Sequence, residues 1–130
     1  MPTIFTRIIN GEIPCYKIAE DQHFIAFLDI NPLTEGHTLV VPKVEIDYIF
    51  DLEEDTLSKI MVFAKKIARA IDKAIPSLRT GIVVLGTEVP HAHVHLVPMH
   101  QGIIDFKAKK ETFTPAQFAE TARKITEKLT

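Results

Sequence analysis

Three histidines alternate with apolar residues over positions 91–98, and this pattern constrains the fold more than any other. Successive side chains of a β-strand point to opposite faces, so strict alternation predicts a strand over 91–98. Three imidazoles would then share one face: His91, His93 and His95. The apolar residues between them would bury against a core. Aligned imidazoles pack poorly and cost stability if they are charged together, so the pattern favours a chemical site over a structural strand.

The spacing of apolar residues along the rest of the chain predicts two long helices and several short strands. A helix is predicted over 53–75, with Asp51 as its N-cap and Pro76 beyond its end. A C-terminal helix is predicted over 114–129, with Thr114 as cap. The remaining elements are a short helix over 3–9 and strands over 16–19, 24–29, 37–41 and 79–85. Neighbouring strands with short connections predict the α+β class, with antiparallel pairing in a layered arrangement.

Composition indicates one domain over residues 1–130, because 46% of the chain is hydrophobic and can form a core. A net charge of −2 and a pI of about 6.3 do not favour a nucleic-acid partner. The single cysteine, Cys15, excludes an intramolecular disulfide and fits a cytoplasmic location. No run approaches the ~20 apolar residues of a membrane span, and the first ten residues lack a signal-peptide core, so we expect no membrane association.

The residues alone leave two chemical interpretations of the aligned imidazoles open. Histidines at positions i and i+2 of a strand are zinc ligands in known sites, but no further ligand follows His95 at a familiar spacing. A neutral imidazole is also a nucleophile toward phosphorus, and neighbouring imidazoles can hold its tautomer and donate to phosphate oxygens. Because the metal-ligand set is incomplete, covalent catalysis is favoured about two to one.

Three segments together resemble the histidine triad (HIT) family. They are the His-x-His-x-His motif at 91–95, the opening segment at 4–14, and the segment at 27–43 that resembles the family's nucleotide-binding region. They occur in the family's order and cover most of residues 3–98. The chain is most similar to the small single-domain Hint-type branch, with some features of Fhit-type hydrolases.

The resemblance implies a five-stranded antiparallel sheet, and a homodimer in which two sheets form one of ten strands. It implies a purine nucleotide as partner and cleavage of the bond beyond the α-phosphate of a nucleoside monophosphate moiety. By the same match, His93 attacks phosphorus to form a nucleotidyl-histidine intermediate, and His95 binds phosphate oxygens. His91 and His37 complete a relay that fixes the tautomer of the nucleophile.

The nucleotide-binding residues that the resemblance implies fall into two groups. Asp29 takes the ribose hydroxyls, whereas the base pocket has four apolar walls: Phe5, Ile8, Phe27 and Ile30. The phosphate site departs from the family pattern. Gly86 is retained, but Thr87 stands where glutamine is expected and Glu88 where serine or threonine is usual. Relatives that bind structural zinc use two cysteines and a histidine, which this chain does not have in place, so we expect no metal and no cofactor.

Three functions remain under consideration on this basis. The first is hydrolysis of nucleoside phosphoramidates or adenylated amines, and the second is hydrolysis of dinucleoside polyphosphates. The third is a non-catalytic nucleotide-binding adaptor. A carboxylate at Glu88 would repel additional phosphates and attract a cationic amine if it faces the leaving group, whereas an exposed surface role would give it no such effect.

Overall fold

A computed structural model describes residues 2–129, so residues 1 and 130 of the predicted domain lie outside the described residues. Within that range the chain forms three α-helices, five β-strands and one short 3₁₀ turn. The helices are α1 (Ile4–Ile9), α2 (Glu54–Ala74) and α3 (Pro115–Thr126), and the 3₁₀ turn is Ile49–Asp51. The strands are β1 (Lys17–Glu20), β2 (Phe24–Leu28), β3 (Thr38–Pro42), β4 (Arg79–Val83) and β5 (Val94–Met99).

The five strands form one antiparallel sheet in the order β1-β2-β3-β5-β4, which confirms the predicted α+β class. Helices α2 and α3 cover one face, where the apolar stripe of α2 packs against β2, β3 and β5. Helix α1 lies on a second apolar cluster with Phe5, Phe27 and Leu39. Strand β5 lies between β3 and β4, so His95 is opposite Leu39 on one side and Val83 on the other.

The strand predicted over 91–98 begins only at Val94, so His91 and His93 precede it and His95 alone lies within it. Backbone hydrogen bonds explain the difference. The His91 N–H donates to the Val89 carbonyl at 2.8 Å, and the Ala92 N–H donates to the Ile46 carbonyl at 2.7 Å. These donors are engaged with loops rather than with a neighbouring strand, so the sheet ladder cannot extend to them.

The long helix starts within one residue of its predicted position, but the predicted N-cap, Asp51, is wrong. Asp51 is the last residue of the 3₁₀ turn, and its N–H donates to the Tyr48 carbonyl at 2.9 Å. Helix α2 instead begins after Glu53, whose side chain makes no capping hydrogen bond.

The predicted cap of α3 is confirmed, because Thr114 and Gln117 form a reciprocal capping box. Helix α3 ends at Thr126 rather than 129. Within residues 2–129, none of the helices combines the length and apolarity that a membrane crossing requires.

Candidate active site

The fold gathers the four predicted catalytic histidines into one buried cluster. His37, His91, His93 and His95 are each less than a tenth exposed. The ring centroid of His95 lies 5.0 Å from that of His93 and 5.2 Å from that of His37. Phe5 of α1 packs edge-on against His93 at 5.0 Å and against His91 at 5.7 Å. The histidines are therefore neither exposed to solvent nor independent of one another.

The backbone carbonyl of His91 determines the tautomer of His93. His93 Nδ1 lies 2.8 Å from this carbonyl oxygen, which can only accept, so Nδ1 carries the proton. In the neutral ring, Nε2 of His93 then holds the lone pair that a nucleophile needs.

The imidazole of His91 has a hydrogen-bond partner on each ring nitrogen. Its Nε2–H donates to the Pro42 carbonyl at 2.8 Å, and its Nδ1 accepts from the Thr3 hydroxyl at 2.7 Å. Both ring nitrogens are thus engaged with groups outside the triad. The contact by which His91 orients the nucleophile is therefore made by its main-chain carbonyl.

His37 likewise acts on His95 and not on His93. The Leu33 N–H donates to His37 Nδ1 at 3.0 Å, so the neutral ring carries its proton on Nε2. His37 Nε2 lies 3.0 Å from His95 Nδ1 and donates to it. His95 therefore carries its own proton on Nε2, where it can serve as a hydrogen-bond donor. His37 and His95 thus form a hydrogen-bonded pair within the cluster.

Burial keeps three of these histidines uncharged near neutral pH, because an imidazolium loses hydration inside the protein. Burial lowers the pKa of His95 to about 3, and the neighbouring His37 and His93 contribute further lowering. The pKa of His37 is lowered mainly by burial, which Asp29 partly opposes. Burial also lowers the pKa of His91, and the hydrogen bond to Pro42 opposes this effect. His37, His91 and His95 are thus neutral donors and acceptors.

Asp29, His37 and His95 place one possible metal-ligand atom each within 4.8 Å of one another. The hydrogen bonds at His37 nevertheless disfavour a metal ion. Its Nδ1 accepts from the Leu33 N–H, so a cation on Nε2 would require an imidazolate with neither nitrogen protonated. Asp29 Oδ2 lies 3.6 Å from His37 Nε2, a position that suits orientation of the ring. The donor set fits a hydrogen-bonded pair better than a divalent cation.

A cavity of about 80 Å³ opens beside this cluster. Several residues of the predicted nucleotide and phosphate sites line it: Asp29, Gly86, Thr87, Glu88 and His95, together with His37 and His93. Gly86 has a φ of +76°, in the left-handed region that favours glycine, at the turn that carries Thr87 and Glu88 past the histidines. Glu88 is exposed to solvent and also lines this cavity.

The predicted apolar walls are only partly brought to the site. Phe5 and Phe27 are buried against each other, with ring centroids 5.7 Å apart, and Ile8 is half-buried beside them. They lie on the same side as the histidines, because Phe5 contacts both His91 and His93. Ile30 is 64% exposed and does not line the cavity. Ile30 also lies outside the buried cluster that contains Phe5 and Phe27, and none of the four predicted wall residues lines the cavity.

Sequence reasoning missed four residues that line the cavity: Asn31, Leu85, Phe106 and Lys110. Asn31 follows Asp29 closely enough for proximity to suggest it. Phe106 and Lys110 lie in a segment with no regular element and no motif, so no sequence signal identifies them. Their position depends on how the chain folds back after β5, which periodicity cannot describe.

A second cavity, of about 430 Å³, adjoins the first, and Leu85, Gly86 and His93 line both. Its other walls are mainly apolar, with Tyr48, Phe50 and Met61 among them. Among the described residues that line this larger cavity, Asp47 is the one carboxylate, and there is no lysine or arginine.

Comparison with known proteins agrees with this geometry. The family model described as the HIT domain matches residues 10–102. An uncharacterized HIT-like protein of Borreliella burgdorferi is 40% identical over 102 residues, covering 73% of each chain. The adenosine 5'-monophosphoramidase of Saccharomyces cerevisiae is 38% identical over 96 residues, covering 73% of this chain and 61% of the yeast protein.

Structural comparison extends the similarity to nearly the full length. The crystal structure of a Hit-like protein from Bartonella henselae superposes with a TM-score of 0.85 at 33% identity. The match covers 98% of this chain and 96% of the Bartonella chain. Sequence motifs, sheet topology and the clustered histidines therefore agree, and the chain belongs to the HIT family.

Proposed function

We propose that this protein is a nucleotide hydrolase that cleaves the bond beyond the α-phosphate of a nucleoside monophosphate moiety, with His93 as nucleophile. The observation that carries the proposal is the hydrogen bond from His93 Nδ1 to the His91 carbonyl, which leaves Nε2 unprotonated. The names of the yeast relatives, adenosine 5'-monophosphoramidases, support nucleotide hydrolysis as the general activity.

The reaction proceeds in two steps under this proposal. The lone pair of His93 Nε2 forms a bond to phosphorus while the bond to the leaving group breaks, and a leaving amine departs with a proton from solvent. The His91 carbonyl stabilises the positive charge that develops on the ring through the Nδ1 proton. Water then attacks phosphorus, which releases the nucleoside monophosphate and regenerates His93.

His95 is the donor to the phosphate oxygens in this mechanism. His37 holds the proton of His95 on Nε2, so the donor is preorganised before substrate binds. Asp29 accepts hydrogen bonds from ribose hydroxyls. The base is expected on the apolar side of the site, where Phe5 packs against Phe27 and against His93.

A phosphoramidate or adenylated amine fits the surroundings better than a dinucleoside polyphosphate. The 430 Å³ cavity beside His93 is mainly apolar and has Asp47 and no cationic side chain among its described lining residues. A second nucleotide with additional phosphates would meet no compensating positive charge there. An apolar amine would instead contact the apolar walls, and a cationic amine would be attracted by Asp47. The polyphosphate hydrolase and the non-catalytic adaptor are therefore the alternatives that the experiment must separate.

A substrate panel tests the proposal directly. Purified protein is incubated separately with an adenosine phosphoramidate and with a diadenosine polyphosphate, and release of adenosine monophosphate is followed by chromatography. We expect a higher specificity constant for the phosphoramidate. Faster cleavage of the polyphosphate would favour the second candidate, and binding of adenosine monophosphate with no turnover of either substrate would favour the adaptor.

A further inference from the structure

The segment 105–111, here called the strap, lies against the histidine cluster although it contains no helix or strand. The ring centroid of Phe106 is 4.8 Å from that of His95 and 6.1 Å from that of His37. The Glu111 N–H donates to the Pro32 carbonyl at 2.8 Å and attaches the end of the strap to the loop after β2. Two contacts at different points therefore hold the strap over the cavity.

The ammonium of Lys110 has a defined position within the strap. It donates to the Phe106 carbonyl and, at 3.3 Å, to the Ala108 carbonyl. An ammonium has three N–H donors, so one remains for a ligand. Lys110 also lines the cavity together with His93 and His95. Of the cavity-lining residues within 2–129, Lys110 is the only lysine or arginine.

A phosphate that enters this cavity meets an unfavourable set of charges apart from Lys110. Asp29 and Glu88 are carboxylates, and their charge repels an anion. The imidazoles of His37 and His95 are neutral near pH 7, since burial lowers both pKa values, and so they donate hydrogen bonds without net positive charge. The ammonium of Lys110 is placed to offset part of this negative charge.

We infer that Lys110 binds the phosphate of the nucleotide in this cavity and thereby sets the preference of the site for a phosphorylated nucleoside over a neutral one. This inference rests on the proposed function, because it assumes that a nucleotide occupies the cavity. Lys110 binds the anion through its third N–H while the two strap carbonyls hold its other donors. Its contribution is to affinity for the charged ligand rather than to the chemistry at His93.

Titration calorimetry with two ligands tests the inference without requiring turnover. Adenosine monophosphate and adenosine share base and sugar and differ in the phosphate. We expect Lys110→Gln to weaken binding of the monophosphate about tenfold, as expected for the loss of ~1.4 kcal/mol, and to leave adenosine unchanged. Lys110→Arg keeps the charge and retains most of the affinity. Lys109→Gln is the matched control, because Lys109 is exposed on the strap but does not line the cavity.

The outcomes separate this inference from the proposed function. Equal affinity of the wild type and Lys110→Gln for adenosine monophosphate would overturn the role of Lys110 and leave the proposed function intact. The role of Lys110 would also be overturned if Lys110→Gln lost as much affinity for adenosine as for the monophosphate. The same holds if Lys110→Arg lost as much affinity for the monophosphate as Lys110→Gln does. Either result would assign the effect to the conformation of the strap and not to the charge of Lys110. A wild-type protein that binds neither ligand would overturn the proposed function itself. Salt of about 1 M should reduce the difference in affinity for adenosine monophosphate between the wild type and Lys110→Gln, because it screens the charge of the lysine.

Discussion

At the scale of single residues, a backbone carbonyl orients the proposed nucleophile. His93 depends on a carbonyl oxygen for its tautomer, and His91 supplies that oxygen while its imidazole is engaged with Thr3 and Pro42. A backbone carbonyl can only accept, and it neither titrates nor rotates away. The carbonyl therefore fixes the tautomer of the neutral His93 ring, with the lone pair on Nε2.

The first residue-scale prediction concerns His93. His93→Ala should fold but lose turnover by on the order of a thousandfold or more, because the nucleophile is removed. Rapid quench with substrate labelled at the α-phosphate should trap label on the wild type and not on the variant. His100→Ala is the matched control, since His100 is exposed and lies beyond the cluster. A fully active His93→Ala protein would exclude the covalent mechanism.

The second concerns Glu88, which lines the cavity although it is exposed. If its carboxylate attracts a cationic leaving group, Glu88→Ser should reduce the preference for cationic over neutral phosphoramidates about tenfold, equivalent to ~1.4 kcal/mol. The measurement is the ratio of specificity constants for two substrates that differ only in that charge. Glu111→Ser should leave the ratio unchanged, because Glu111 is exposed and does not line the cavity. An unchanged ratio in Glu88→Ser would assign Glu88 to the surface.

At the scale of elements, α1 is too short to be stable alone, and the active-site cluster helps to hold it. Thr3 caps α1 by accepting from the Thr6 N–H at 3.1 Å, and its hydroxyl donates to His91 Nδ1. Phe5 extends from the same helix to both His91 and His93. Helix α1 and the histidines thus stabilise each other. This contact explains why the opening segment belongs to the site although it is far from residues 91–95 in the sequence.

Thr3→Val tests this coupling, because valine has nearly the same shape and no hydroxyl. The substitution removes the N-cap and leaves the buried His91 Nδ1 without a donor, so it should lower the free energy of unfolding by about 1–3 kcal/mol. Urea denaturation provides the measurement. Thr112→Val, at an exposed position, should stay within about 0.5 kcal/mol of the wild type. Equal stability of the two variants would mean that the Thr3–His91 contact contributes nothing.

At the scale of the whole molecule, the buried histidines make folding depend on pH. In the unfolded chain a histidine takes up a proton near its ordinary pKa of 6.5, whereas the folded protein holds the pKa of His95 at about 3. Below pH 6.5 the unfolded state therefore binds more protons than the folded state, and stability falls as the pH falls.

Urea denaturation at pH 7 and pH 5 should show this dependence. His95 alone should reduce the free energy of unfolding by about 2 kcal/mol at pH 5, because that pH lies about 1.5 units below the unfolded pKa. His37 and His91 should act in the same direction, since burial lowers both pKa values. A free energy of unfolding that is constant between these two pH values would contradict the neutral, buried cluster.

The two edges of the sheet differ in a way that bears on assembly. The β1 edge carries Lys17 and Glu20, which pair at 3.0 Å and discourage edge-to-edge association. The β4 edge exposes Ile82 at 45%, and the apolar Val84 and Leu85 follow it. The homodimer is therefore expected to join two sheets along β4.

Light scattering at micromolar concentration should give a mass near twice 14.7 kDa. Ile82→Lys should shift the protein toward the monomer, because it places a charge on the apolar edge. Ile103→Lys should not, since Ile103 is exposed outside the sheet and serves as the matched control. A monomeric wild type would contradict the dimer, and a dimeric Ile82→Lys protein would contradict the use of β4.

The sequence by itself determined the features that depend on local periodicity and local chemistry. The long helix α2, the capping box of α3, the α+β class and the HIT resemblance follow from spacings within short segments. Tertiary structure alone decided where β5 begins, which groups hold each imidazole, and which residues line the cavity. The reason is physical: the groups that meet there are far apart in the chain, since Thr3 and His91 are separated by 88 positions and His37 and His95 by 58. Tautomers and desolvation arise from those contacts, and a strap without periodicity, such as the one that brings Phe106 and Lys110 to the site, leaves no trace in the sequence pattern.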